Sequence, residues 1–116
     1  MAVPHPLPYQ GSKRRLAETI ISHFPKNAGR LLEPFAGSAA VTLAAAHCKV
    51  AHRFIVNDLN KPLVSLWKEI VNRPNELADA YETLWKKQRG EEQAFYDQVR
   101  RKFNETHQPH YLLYLL

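Results

Sequence analysis

Residues 30–58 read RLLEPFAGSAAVTLAAAHCKVAHRFIVND. An apolar run ending in an acid (Leu31, Leu32, Glu33) enters a turn from Pro34 to Gly37, followed by an alanine-rich segment of high helical propensity from Ser38 to His47. A second β-branched and aromatic run (Phe54, Ile55, Val56) ends in Asn57 and Asp58. Strand, turn, helix and strand in this order and length predict one βαβ crossover with parallel strands.

Such a unit is suited to a small ligand. In open parallel sheets, ligands sit beyond the carboxyl ends of the strands, where a tight turn lets backbone N–H groups approach them. Gly37 supplies the turn, Ser38 is a candidate N-cap, and Asp58 lies 21 residues after Gly37 at the end of the second strand. An acid at this offset commonly accepts hydrogen bonds from ribose hydroxyls, so the unit reads as a nucleoside half-site. With a single glycine in the turn, the three-glycine dinucleotide fingerprint is unmet, which argues against NAD or FAD. The same pattern would also serve a βαβ unit without a ligand, in which Glu33 and Asp58 merely end their strands.

Outward from this core, the 116 residues suffice for one domain. A domain near this size buries roughly two-thirds of its unfolded surface, and 45% hydrophobic content supplies a core. The apolar tracts at residues 39–46 and 111–116 are far shorter than the ~20 residues that a bilayer requires. Cys48 is the only cysteine, which excludes an internal disulfide and a cysteine-rich zinc site and makes the cytoplasm the expected compartment. The formal net charge of +5 is unevenly placed. Residues 1–30 hold Lys13, Arg14, Arg15, Lys26 and Arg30 against Glu18 alone. A basic face of this kind suits a phosphate-rich partner, though a solvated helix face would look the same. From residue 73 onward, seven basic and seven acidic residues cancel.

At the N-terminus, Pro4, Pro6 and Pro8 predict an extended arm. Leu16, Ile20, Ile21 and Phe24 predict a helix with Ser12 as N-cap and Pro25 as stop. Gly11-Ser12-Lys13 lacks the earlier glycine of a phosphate loop, since Pro6 stands at that position. Beyond Asp58, Asn60 and Pro62 start a helix carrying Leu63, Leu66, Trp67 and Ile70. Further helices are expected near 75–88 (Leu77, Tyr81, Leu84, Trp85) and 91–105 (Phe95, Val99, Phe103), with Gly90 as the break. The six scattered histidines offer no metal-ligand set.

Three stretches together resemble the Dam-like, N6-adenine-specific DNA methyltransferases. In that family a Trp/Tyr-x-Gly-Gly/Ser-Lys element precedes a helix, and here Tyr9, Gly11, Ser12 and Lys13 stand in it. The Glu-Pro-Phe-x-Gly turn is intact as Glu33-Pro34-Phe35-Ala36-Gly37, and the acidic strand end stands as Asp58-Leu59-Asn60. The resemblance covers residues 8 to about 72. It implies a partial Rossmann-like α/β methyltransferase fold of first parallel strands and flanking helices, followed by a helical segment near 75–116. It also implies an S-adenosylmethionine pocket in which Asp58 holds the ribose, Tyr9 and Lys13 line the methionine end, and Glu33, Phe35 and Gly37 form the wall. DNA with an adenine target is the expected substrate, as in restriction–modification systems, with Arg14 and Arg15 as candidate contacts. The Asp/Asn-Pro-Pro-Tyr/Phe motif that holds the target amine in this family is absent, because no two prolines are adjacent. The chain thus resembles the N-terminal cofactor portion without the catalytic motif or target-recognition region, and is expected not to transfer methyl groups alone. The competing expectation is a non-catalytic binding or assembly module acting with a protein or DNA partner.

Residues 110–116, HYLLYLL, predict a terminal helix that is apolar on nearly every face. The expectation is that a complementing C-terminal polypeptide or self-association through residues 111–116 covers it.

Overall fold

In the computed structural model, which describes residues 3–116, the chain is mixed α/β, with two parallel strands and six helices among those residues. It divides into two compact units, the first ending at Leu59 and the second beginning at Asn60.

The first unit holds α1 (Ala17–Ser22), β1 (Ala28–Glu33), α2 (Ala40–His47) and β2 (Ala51–Val56). The strands pair in parallel, with Leu31 opposite Phe54, Leu32 opposite Ile55 and Glu33 opposite Val56. Successive side chains point to opposite faces of the pair. Leu31 and Phe54 therefore turn together towards Ala17 and Ile21 of α1 and Ala40, Ala44 and Ala45 of α2, the core of this unit. Leu32 and Ile55 share the other face and are exposed. Alanines on α2 let the helix lie close to the strands, so small side chains set the spacing here.

Helix α1 is shorter than the sequence predicts. It begins at Ala17 with Leu16 in the cap position, and Leu16 is exposed. Ala17 and Ile21 are its buried residues, with Ile20 and Phe24 half-buried. The stripe thus runs from position 17, not 16. Ser12 does not cap the helix, because Gly11 at φ +79° and turns at residues 9–12 and 13–16 intervene. Residues 3–8 of the N-terminal arm form neither helix nor strand. Its prolines face outward while Leu7 is buried, an alternation that fits the extended backbone expected of Pro-x-Pro-x-Pro.

The second unit is helical: α3 (Lys61–Asn72), α4 (Pro74–Lys87), α5 (Glu92–Thr106) and α6 (Pro109–Leu115). Asn60 caps α3 by accepting the Leu63 N–H at 3.2 Å, with Pro62 in the first turn. Leu63, Leu66, Trp67, Leu77, Leu84 and Val99 are buried, whereas Trp85 is half-exposed and Tyr81 half-buried. Gly90 breaks the chain between α4 and α5 at φ +84°, a conformation that glycine adopts without strain.

The terminal apolar helix finds cover inside this unit. α6 packs on α3, α4 and α5, and residues 110–115 are all half-buried. Tyr114 sits edge-on to Trp85 and Phe95 and donates its hydroxyl to Gln88 Oε1 at 2.8 Å. Burial, first, and the nearby Glu92 push this phenol's pKa upward, so the hydroxyl keeps the proton that it donates. Residues 110–115 are thus partly covered within this unit, where two aromatic rings and the buried Gln88 amide draw Tyr114 in, while Leu116 stays exposed.

Leu66 and Val71 lie on the same helix, at 0% and 72% exposure. Leu66→Ala is expected to cost about 2–5 kcal/mol in urea denaturation, and Val71→Ala to stay within about 0.5 kcal/mol of the parent.

Candidate functional site

Beyond the last paired residues, Glu33 and Val56, backbone bonds carry the ladder into the loops. The Asn57 N–H donates to Glu33 O and the Ala36 N–H donates to Asn57 O, each at 2.9 Å. The glycine turn is thereby held against the end of β2. The Asp58 carboxylate adds a side-chain tie, accepting the Gly37 N–H through Oδ2 at 3.1 Å.

Gly37 is required by two separate observations. Its φ of +53° is left-handed, and an added Cβ would stand 3.0 Å from the Tyr9 ring. Tyr9 therefore lies directly over the turn. Ala39, two residues on, is also left-handed at φ +51° and occupies the N-cap position of α2 without a side-chain cap. The first turn of α2 is capped from a distance. Glu33 Oε1 accepts both the Thr42 N–H at 3.0 Å and the Thr42 hydroxyl at 2.6 Å, placing a carboxylate at the positive end of the helix.

Ser38, expected as the cap, has a different role. Its buried hydroxyl hydrogen-bonds that of Ser12 at 2.7 Å. The same Ser12 Oγ accepts the Arg14 N–H at 3.3 Å. The hydroxyl pair thus ties the Tyr9–Lys13 segment to the glycine turn, across 26 residues of sequence.

These ties shape a cleft of about 250 Å³. Tyr9, Lys13, Glu33, Phe35, Gly37 and Asp58 all line it, joined by Gly11, Ser12, Ala36, Ser38 and Ala40. The six residues singled out from sequence therefore converge from three separate segments. Phe35 stands at 81% exposure and Leu59, next to Asp58, at 89%. The cleft's polar groups are the Glu33 and Asp58 carboxylates at the two strand ends, Lys13 and the Ser12 and Ser38 hydroxyls. Its apolar groups are an aromatic ring on the turn and an exposed ring beside it. Sequence reasoning missed Thr42 and the Ser12–Ser38 pair, because Ser38 and Ser12 both carry the ordinary N-cap signal.

Arg14 and Arg15 do not line this cleft. They border a larger one, of about 630 Å³, together with Val3, His5, Ala17, Glu18 and Ala44. His5 has its imidazole pKa lowered by burial, first, and by the Arg14 charge. Among the described residues, no group of three or more His, Cys, Asp and Glu could hold a metal ion, and no helix is long and apolar enough to cross a membrane.

A family model described as D12 class N6 adenine-specific DNA methyltransferase matches residues 9–115. Proteins named DNA adenine methylase from Salmonella typhi and from Escherichia coli (strain K12) are each 31% identical to the chain over 103 residues, 89% of its length. The match covers 35% of each relative, so the chain spans about a third of the curated relatives it resembles.

If the hydroxyl pair anchors the N-terminal segment, Ser12→Ala and Ser38→Ala should be non-additive. A double-mutant cycle by urea denaturation is expected to give a coupling of about 0.5–1.5 kcal/mol.

Proposed function

Because the chain belongs to the D12 class of N6 adenine-specific DNA methyltransferases, we propose that the Gly37 cleft is the S-adenosylmethionine site of a Rossmann-like fold. On this proposal the reaction served is methyl transfer to the exocyclic amine of adenine in DNA. The observation that carries the proposal is the convergence of Tyr9, Lys13, Glu33, Phe35, Gly37 and Asp58 on one cleft at the carboxyl ends of two parallel strands, where open α/β sheets take their ligands.

The residues present suit this cofactor. A carboxylate accepts hydrogen bonds at about four lone-pair positions, a geometry that suits the vicinal hydroxyls of a ribose, and Asp58 lines the cleft at the end of the second strand. The Gly37 N–H fixes the carboxylate before a ligand arrives, which lowers the ordering required on binding. Phe35, exposed at the cleft, offers a ring face for a purine to cover. Lys13 and Tyr9, which also line the cleft, supply a cation and a ring for the methionine carboxylate and its alkyl chain. Glu33 contributes through α2, because Oε1 is engaged by Thr42 and sets the helix that backs the turn.

When bound, S-adenosylmethionine supplies a methyl group on a positively charged sulfur, ready for transfer to a nucleophilic nitrogen. The chain's own residues bind and orient it. Adenine in a duplex has to leave the base stack for its amine to reach such a methyl. The paired prolines expected to hold that amine do not occur in this sequence, so the proposal concerns the binding and orientation of the cofactor. DNA is the proposed macromolecular partner.

Calorimetry with S-adenosylmethionine tests the proposal. Asp58→Ala is expected to weaken binding by about 1–3 kcal/mol, the loss typical of a hydrogen bond to a charged group. Lys13→Ala should weaken S-adenosylmethionine but leave adenosine nearly unaffected. Equal affinities of the Asp58 variant and the parent would remove the ribose assignment, and a parent chain that takes up DNA or protein but no cofactor would favour a non-catalytic module.

A further inference from the structure

The larger cleft of the first unit is not used by the proposed cofactor site. Its charged lining consists of Arg14, Arg15 and Glu18, with His5 beside them and the small buried residues Ala17 and Ala44 leaving the space open. Among the described residues, the ion pairs are Arg73 with Glu69 and Lys86 with Glu82, and neither Arg14 nor Arg15 is held by a carboxylate. Two arginines and one acid therefore line a cavity of about 630 Å³. His5 Nδ1 is enclosed and has no hydrogen-bond partner among those residues. Enclosed polar atoms without partners are uncommon in folded proteins and call for an explanation such as a missing ion or ligand.

A planar guanidinium presents paired N–H donors that match two oxygens of a phosphate. The Glu18 carboxylate repels a doubly charged anion more strongly than a singly charged one, which favours a phosphodiester over free phosphate. The cleft is also placed to serve the first one. Lys13 lines the cofactor cleft and Arg14 the larger one, and the Arg14 N–H is held by the Ser12 hydroxyl that anchors the glycine turn. On α2, Ala40 borders the first cleft and Ala44, one turn later, the second.

We propose that the cleft of His5, Arg14 and Arg15 is a phosphate subsite that grips the backbone of the DNA whose adenine is brought to the adjacent cofactor cleft. This rests on the functional reading above. Arg14 and Arg15 donate to non-bridging oxygens, His5 lines the pocket beside them, and Glu18 limits the charge that the pocket accepts.

The test is fluorescence anisotropy of a short labelled DNA duplex over a salt series, with S-adenosylmethionine affinity and the urea midpoint measured on the same samples. The Arg14→Gln/Arg15→Gln variant is expected to lower the slope of log affinity against log salt by about 1.8, two contacts at about 0.9 each, with cofactor affinity unchanged. Arg14→Lys/Arg15→Lys should restore most of the slope because charge is retained, which separates phosphate binding from a folding defect. Glu18→Gln should tighten DNA binding. An unchanged slope in the glutamine variant, with cofactor binding intact, would overturn the subsite and leave the cofactor reading standing. A parent chain that binds no S-adenosylmethionine would overturn the reading on which the subsite rests. Saturable binding of inorganic phosphate that depends on Arg14 and Arg15, with no change in the DNA slope, would assign the cleft to a free anion and overturn the DNA assignment.

Discussion

The Asp58 carboxylate accepts the Gly37 N–H, and through this bond the turn after β1 is held to the residue that follows β2. A left-handed glycine has many conformations open to it in the unfolded chain. Fixing it needs partners on both sides, and here Asp58 binds its N–H while the Tyr9 ring lies over its α-carbon. Other ties extend from the same turn. Ser38 passes the constraint to Ser12, and Glu33 passes it to the first turn of α2 through Thr42. Gly37 with Asp58, and Ser12 with Ser38, thus position one another within the cleft, as a preorganised site requires.

Order and type of the elements were legible because period and composition agreed. Leu31 to Glu33 and Phe54 to Val56 carry strand-forming residues, the alanines between them favour a helix, and turn residues separate the segments. Boundaries were less legible, for reasons that can be named. β1 begins at Ala28 and β2 at Ala51, where alanine, glycine and arginine have weak strand preference and the parallel partner decides. At α1 and α2, serine carried a cap signal, but each hydroxyl found the other instead of an N–H at its own helix start. Pairing across 26 residues is a tertiary fact that local propensity cannot express.

The site shows the same division. That Glu33, Gly37 and Asp58 come together at one cleft was legible because strand ends and glycine turns share the carboxyl edge of α/β sheets. Tyr9 and Lys13 came from family resemblance, since nothing in a Pro-x-Pro-x-Pro arm tells where it lies. The separation of Arg14 and Arg15 from Lys13 was not readable either. Three consecutive basic residues look like one patch, but the turn over residues 13–16 puts lysine on one cleft and the arginines on another.

A parallel strand pair has specific needs that bear on how these ties act. Parallel sheets normally have both faces covered, and a sheet of two strands has little stability of its own. Here Leu31 and Phe54 are packed by α1 and α2, while the opposed Leu32 and Ile55 remain exposed at 56% and 47%. Apolar area left in water contributes none of the roughly 25 cal/mol per Å² that burial would give. The strands therefore draw their cohesion from one face and from the polar bonds at their carboxyl ends. Those bonds also form the cleft, so the loops that shape the site help to hold the strands that position it.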